Sequence, residues 1–399
     1  MKPDSEIHAR LMRLPPVLRG GFRPFFLGGA LWALAVVALW VCVLSGGVTL
    51  PTAFDPLAWH RHEMLFGYLG AVVAGFLLTA IPNWTGRTPI AGAPLAGLFA
   101  LWVAGRLAVF FSAAAGPAVA LVLDTGFLAV MALIAAREVI AAKNRNFPIV
   151  AAVGLFAAAN ALDHMEALGV PVPAGLGWRC GFAIVLLLVS LIGGRIIPAF
   201  TRNWLVKQGR ERGLPVQTNR FDIATLLTTA LALFAWAASP DSSASGGLLI
   251  AAGLLQTIRL ARWSGLRTWR EPIVLILHIS YAWLPLGLLV LGGSAFVWCI
   301  PVSAATHALS AGAMASMTLA VMTRASLGHT GRELRADGWT QAIYALVTAG
   351  AALRFAAPML PVDYMPGIAA AGALWGAAFL LFVLAYGPKL LGPRPDGMP

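Results

Sequence analysis

The sequence predicts an all-α, polytopic membrane protein of twelve transmembrane helices, and three observations carry that prediction. Of its 399 residues 59% are hydrophobic and only 11% charged, less than half the roughly 25% charged share of soluble globular chains. Twelve mostly apolar runs approach or exceed the ~20 residues a helix needs to cross a bilayer, near 24–46, 60–82, 92–113, 116–137, 147–168, 178–198, 221–239, 246–262, 272–293, 295–323, 339–358 and 364–386. The basic residues punctuate these runs. Small Gly- and Pro-containing connectors leave no room for a soluble domain, so 1–399 is expected to form a single membrane domain with the lipid bilayer around it.

The first run follows a polar, basic stretch over residues 1–23 and is too long for the h-region of a cleaved signal, so it is expected to stay as an anchor. With the N-terminus inside, only Arg61, Arg106, Arg179 and Arg354 of the 28 Lys and Arg fall at the outer side or within a span, and the positive-inside rule puts both termini in the cytoplasm. The same distribution argues against a nucleic-acid partner for a chain of net charge +12, because no single water-facing basic surface is formed. Cys42, Cys180 and Cys299 stand alone, with neither CxxC nor CxxCH spacing, and read as buried small hydrophobes.

Pro24, Pro148 and Pro272 open the first, fifth and ninth runs at a spacing of 124 residues, and Arg106 and Arg354 differ by twice that period. Fixed long periods mark repeats. The expected architecture is three pseudo-symmetric, parallel four-helix repeats, about 24–140, 147–262 and 272–387.

The second run opens with Trp59-His-Arg-His-Glu-Met-Leu-Phe-Gly-Tyr68, two imidazoles and a carboxylate at the mouth of a membrane-length helix, where ionisable groups are costly and usually functional. Six histidines lie in or beside runs: His60, His62, His164, His278, His307 and His329. Neutral imidazole ligates haem iron or copper, so these six are the candidate metal and cofactor ligands. His60, His62 and His164 fall at the outer face and are candidates for convergence, although a two-residue spacing turns His60 and His62 about 200° apart on a regular helix. His278 lies roughly 9 Å and His307 roughly 18 Å into their runs, which makes them candidates for facing each other across one cofactor, while His329 falls at the inner surface. Arg61, Arg106, Arg179 and Arg354 are candidate anchors for haem propionates, since Arg pairs bidentately with carboxylates. Asp124, Glu63, Asp163 and Glu166 are candidates for passing protons, Glu63 and Asp163 foremost, and equally candidates for orienting imidazole N–H groups.

Five stretches resemble the NnrS family: Trp59 to Tyr68, Ile81-Pro-Asn-Trp-Thr-Gly-Arg87, Gly194-Arg-Ile-Ile-Pro-Ala-Phe-Thr-Arg-Asn-Trp204, Thr323-Arg-Ala-Ser-Leu-Gly-His-Thr-Gly-Arg332, and Tyr386-Gly-Pro-Lys-Leu-Leu-Gly-Pro-Arg-Pro-Asp-Gly397. Arg23-Pro-Phe-Phe extends the likeness to the first helix. The resemblance implies a twelve-helix protein of the bacterial cytoplasmic (inner) membrane, containing haem b and copper and serving the response to nitric oxide, with the six histidines as the metal-ligand set. More distantly the chain is similar to haem–copper oxidase and nitric oxide reductase catalytic subunits, but it lacks their adjacent His-His pair and the His-x-His of the tenth helix. Reduction of NO to N₂O, or NO detoxification, is the leading expectation, with electrons from a quinol or a redox protein. A haem protein that binds or senses NO without turnover is the alternative. A transporter would show broken helices at the midplane, and Pro285 and Pro301 have no polar pair around them.

Overall fold

The computed structural model describes residues 8–360 and 364–398, with helices and no strands among them. Among the described residues twelve helices are long and apolar enough to span a membrane: α1 Phe22–Leu44, α2 Pro56–Thr85, α3 Ala93–Phe110, α4 Pro117–Ala141, α5 Phe147–Ala167, α6 Leu176–Lys207, α7 Arg220–Ala238, α8 Ser243–Ala261, α9 Pro272–Gly293, α10 Val302–His329, α11 Gly338–Met359 and α12 Tyr364–Leu391. The protein is a polytopic membrane protein. Helices dominate because a chain in hydrocarbon has to satisfy every backbone N–H and C=O internally.

Boundaries follow local chemistry. α2 begins at Pro56, earlier than its apolar run suggests, because the Asp55 side chain accepts from Leu57 N at 2.9 Å and Ala58 N at 3.3 Å, with Pro56 pre-set for the first turn. α10 begins seven residues later than the apolar run, at Val302, because Ser294 to Pro301 forms turns and Pro301 stands as N-cap. This corrects the expected span 295–323. α9 runs unbroken through Pro285, so the broken-helix signature of a transporter is not found there.

Two π-helical segments interrupt the α geometry among the described residues, Glu63–Leu69 within α2 and Ala308–Ala315 within α10, both directly after a histidine. Such wide turns recur at functional sites, because the additional residue redirects the side chains on either side of it.

By contact the chain divides into two compact units, Met1–Gly181 with Met322–Leu334 and Phe379–Pro399, and Phe182–Val321 with Arg335–Ala378. The first has a core that includes Phe25, Phe26, Phe66, Tyr68, Phe127, Phe379 and Phe382, all buried. The second holds a buried polar network that nothing in the sequence announced. Arg259 Nε donates to Asp222 Oδ1 at 2.9 Å and Nη1 to Tyr281 Oη at 3.1 Å, while Gln256 Nε2 donates to Ser190 Oγ at 2.7 Å and Thr229 Oγ1 at 2.9 Å. A guanidinium at this depth is tolerated because a carboxylate and neutral acceptors surround it.

Candidate metal centre

The site lies wholly within the first unit and is assembled from α2, α3, α4 and α5. Capping by Asp55 sets the phase of α2 so that His62 is fully buried. His60, two residues back, turns away as helical geometry requires and stacks on Trp40 at 4.6 Å and 11°. On α5, Asn160, Asp163 and His164 share one face through i, i+3 and i, i+4 spacing.

Asp124 of α4 is the hub. Its Oδ2 lies 2.8 Å from His62 Nε2 and 2.9 Å from His164 Nε2, and accepts from Asn160 Nδ2 at 2.8 Å. Its other oxygen pairs with Arg106 Nη2 of α3. Gly105 permits this, because a Cβ there would stand 3.1 Å from the Asp124 Cα. His62 Nδ1 meets Asp163 Oδ2 at 2.8 Å, and Thr125 Oγ1 donates to Asn160 Oδ1 at 2.9 Å, fixing that amide.

Arg106 continues the network inward. Its Nη1 donates to Glu63 Oε2 at 2.5 Å, and Trp32 Nε1 of α1 donates to the same oxygen at 2.6 Å. The π turn places Glu63 here, and Trp102 Nε1 donates to the Gly67 carbonyl at 3.0 Å. Gly67 is required, because a Cβ would run into the Glu63 carboxylate, Arg106 Nη1 and Trp32 Nε1.

Among the polar atoms of these residues, His164 Nδ1, Glu63 Oε1 and Arg106 Nε have no hydrogen-bond partner. Each such group costs about 1–3 kcal/mol; none of the three is among the atoms that meet at Asp124 Oδ2, and Arg106 Nε, a donor, cannot hold a cation. Three carboxylates, Glu63, Asp124 and Asp163, are gathered around the Arg106 guanidinium and the two imidazoles, with Arg61 within electrostatic reach of Asp163. His62, Asp124 and His164 each offer one buried ligand atom, all within 4.8 Å of one another.

Of the three histidines considered for convergence, then, His62 and His164 meet and His60 does not; Asp124 takes the third place. Asp163 touches His62, whereas Glu63 is separated from both histidines by Arg106 and Asp124, so the two candidate proton carriers do not share one position. The four arginines already have engagements. Arg106 is an internal ion-pair partner rather than an outward anchor, because two carboxylates lie within its reach. Arg61 lies over the Trp178 ring at 4.9 Å, and Arg179 Nη1 donates to the Ala174 carbonyl at 2.9 Å. Arg354, in the second unit, interacts with Tyr364 and keeps a buried Nη1 without a partner.

His278 and His307 do not face each other. His278 Nε2 meets Thr201 Oγ1 of α6 at 2.7 Å, and His307 Nδ1 donates to the Ser303 carbonyl at 2.7 Å. With α10 starting at Val302, His307 sits roughly 8 Å from the α9–α10 connector and His278 roughly 22 Å from it, so the rings are offset by about 15 Å along antiparallel helices. His329 closes α10, its ring 5.5 Å from that of Phe22.

A family model described as NnrS protein matches residues 16–394. The chain belongs to the NnrS family. Among curated proteins none matches it. For an NnrS chain the resemblance implies copper and haem, and the two fare differently at this centre. Two imidazoles and a carboxylate would suit a first-row ion, and Asp163 stands where an outer carboxylate would orient the His62 ring. A porphyrin has no room between these ligands, because one Asp124 oxygen lies 2.8 Å from His62 Nε2 and 2.9 Å from His164 Nε2. His62→Ala and His164→Ala are each expected to lower bound metal, measured by elemental analysis, whereas His278→Ala is expected to leave it at the wild-type level. Equal loss in all three variants would contradict the assignment.

Asn160 and Trp32 join the site without any signal in the sequence. Asn160 stands one turn before His164, but a lone Asn means nothing until Asp124 is placed opposite it. Trp32 is indistinguishable in sequence from an interfacial belt tryptophan.

Proposed function

We propose that this NnrS-family protein acts on nitric oxide at the buried His62–Asp124–His164 centre, with copper as the ion, and reduces two NO with two electrons and two protons to N₂O and water. The observation that carries the reading is the convergence of two imidazoles and one carboxylate, all buried. Copper, when bound, would supply one-electron chemistry and a position for a small uncharged ligand.

The chain's own residues would hold and balance that centre. Asp163 fixes the His62 ring. Arg106 holds Asp124 in place and offsets part of the carboxylate charge, and Trp32 with Arg106 holds one oxygen of Glu63 while the other is left to carry a proton. Asp163, 9% exposed, is the cluster's link toward solvent for proton entry. Electrons come from a separate donor, a quinol or a redox protein. The haem b that the resemblance implies finds no room among these ligands, and no step is assigned to it; His60, His278, His307 and His329 are its remaining candidate ligands, and a pyridine haemochrome measures it.

The test is anaerobic NO added to reduced, purified protein with an artificial donor in excess. N₂O beyond the stoichiometry of bound metal is expected, and its loss in His62→Ala and His164→Ala. A stable nitrosyl with no N₂O under the same conditions would overturn turnover in favour of NO capture.

A further inference from the structure

Three of the stretches that carry the family resemblance take no part in the metal centre, yet they meet at one place in the first unit. Arg23 of α1 is 2% exposed and caps the end of α12, its Nη1 donating to the carbonyls of Leu390 at 2.9 Å and Gly392 at 2.8 Å. The segment after α12 folds back on the end of α10. Arg394 Nη1 reaches the His329 carbonyl at 3.4 Å, and the Gly331 position, at φ 68°, leaves no room for a Cβ beside the Asp396 carboxylate.

Arg19 Nε and Nη2 donate to the Leu14 and Met12 carbonyls, both at 3.0 Å, and Arg332 Nη1 to the Thr330 carbonyl at 3.2 Å; both guanidiniums and that of Arg394 lie within electrostatic reach of Arg23. Among the described residues the acid paired with this group is Asp396, which meets Arg394 Nη2 at 2.6 Å; that pairing holds its carboxyl down to about 2, so it stays charged. Four guanidiniums against one carboxylate leave a formal excess of three positive charges. Carbonyl hydrogen bonds orient these cations without neutralising them. The excess sits where α1 begins and α10 and α12 end, and helix ends of a spanning bundle lie at headgroup depth. Basic pockets between such helix ends hold anionic headgroups.

We propose that Arg19, Arg23, Arg332 and Arg394 form a phosphate-binding site, independent of the metal centre, that takes the phosphodiester of an anionic lipid or a free phosphate anion. Arg23, fixed by the α12 carbonyls, anchors the site, and the half-buried Arg19 and Arg332 close on the ligand.

The test is native mass spectrometry of the full chain purified with phosphatidylglycerol and phosphatidylcholine of matched acyl chains, alongside melting curves in lipid-free detergent with inorganic phosphate or pyrophosphate. The wild type is expected to retain phosphatidylglycerol preferentially, and Arg332→Gln and Arg19→Gln each to lower that retention about five-fold, the effect of removing one cation near an anionic surface. Stabilisation by phosphate or pyrophosphate that is lost in the same variants, without preference for phosphatidylglycerol, would assign the site to a soluble anion. If the wild type shows neither a lipid preference nor a phosphate-dependent melting shift, the four arginines act only as a staple of helix ends and the proposal fails. That outcome is read from the wild type alone, so it holds even where a variant folds poorly.

Discussion

Asp124→Asn is expected to strip the metal from the purified protein while leaving the twelve helices in place. The substitution keeps the size of the side chain and removes its charge, so the two imidazoles at 2.8 and 2.9 Å lose the anion that gathers them. Even an outer partner of a metal ligand is worth roughly 10–100-fold in affinity, and a direct ligand is expected to cost more. Metal content by elemental analysis and competition with a chelator measure the loss. The same change costs Arg106 one of its two carboxylates, and the lost charge-assisted hydrogen bond is worth about 1.5–3 kcal/mol. Wild-type metal content in a folded Asp124→Asn protein would remove the hub from the centre.

Arg106→Leu is expected to give the largest stability loss of any single change at the site. It leaves Glu63 and Asp124, both fully buried, without their cation, and breaking a buried pair in this way costs about 3–5 kcal/mol. Adding Glu63→Gln to Arg106→Leu is expected to recover part of the loss, because it removes one of the two stranded charges. Unfolding midpoints in detergent for the two single variants and the double variant close the cycle. A coupling of about 0.5–3 kcal/mol is expected for groups in contact, and strict additivity would show that Glu63 and Arg106 do not depend on each other.

The two experiments divide the site's labour. Asp124 gathers the ligands and Arg106 makes a third carboxylate tolerable nearby, so the first variant should fail in metal binding before stability and the second in stability before metal binding. That order itself tests whether the centre was built around an ion or around an ion pair.

The sequence by itself determined the membrane character, the helix count and most helix positions, because spanning a bilayer imposes a length and a composition on each segment that no later packing can change. It also determined that His60 and His62 diverge, since a two-residue spacing fixes the angle between side chains on one helix whatever surrounds it. What it left to the tertiary structure was every choice among helices. Asp124 stood alone in an apolar run, yet it joins His62, 62 residues away, and His164, 40 residues away. Arg106, matched by period to Arg354, instead serves two carboxylates, because burial at depth makes an internal counter-charge worth more than an outward-facing role. The π turn at Glu63–Leu69 and the late start of α10 at Val302 are also decisions of packing. One changes the phase of the residues around the site, and the other moves His307 toward the end of its helix and away from the depth of His278. Helix existence is a property of each segment against the bilayer, while a site depends on which faces of several segments meet, and only the folded bundle settles that.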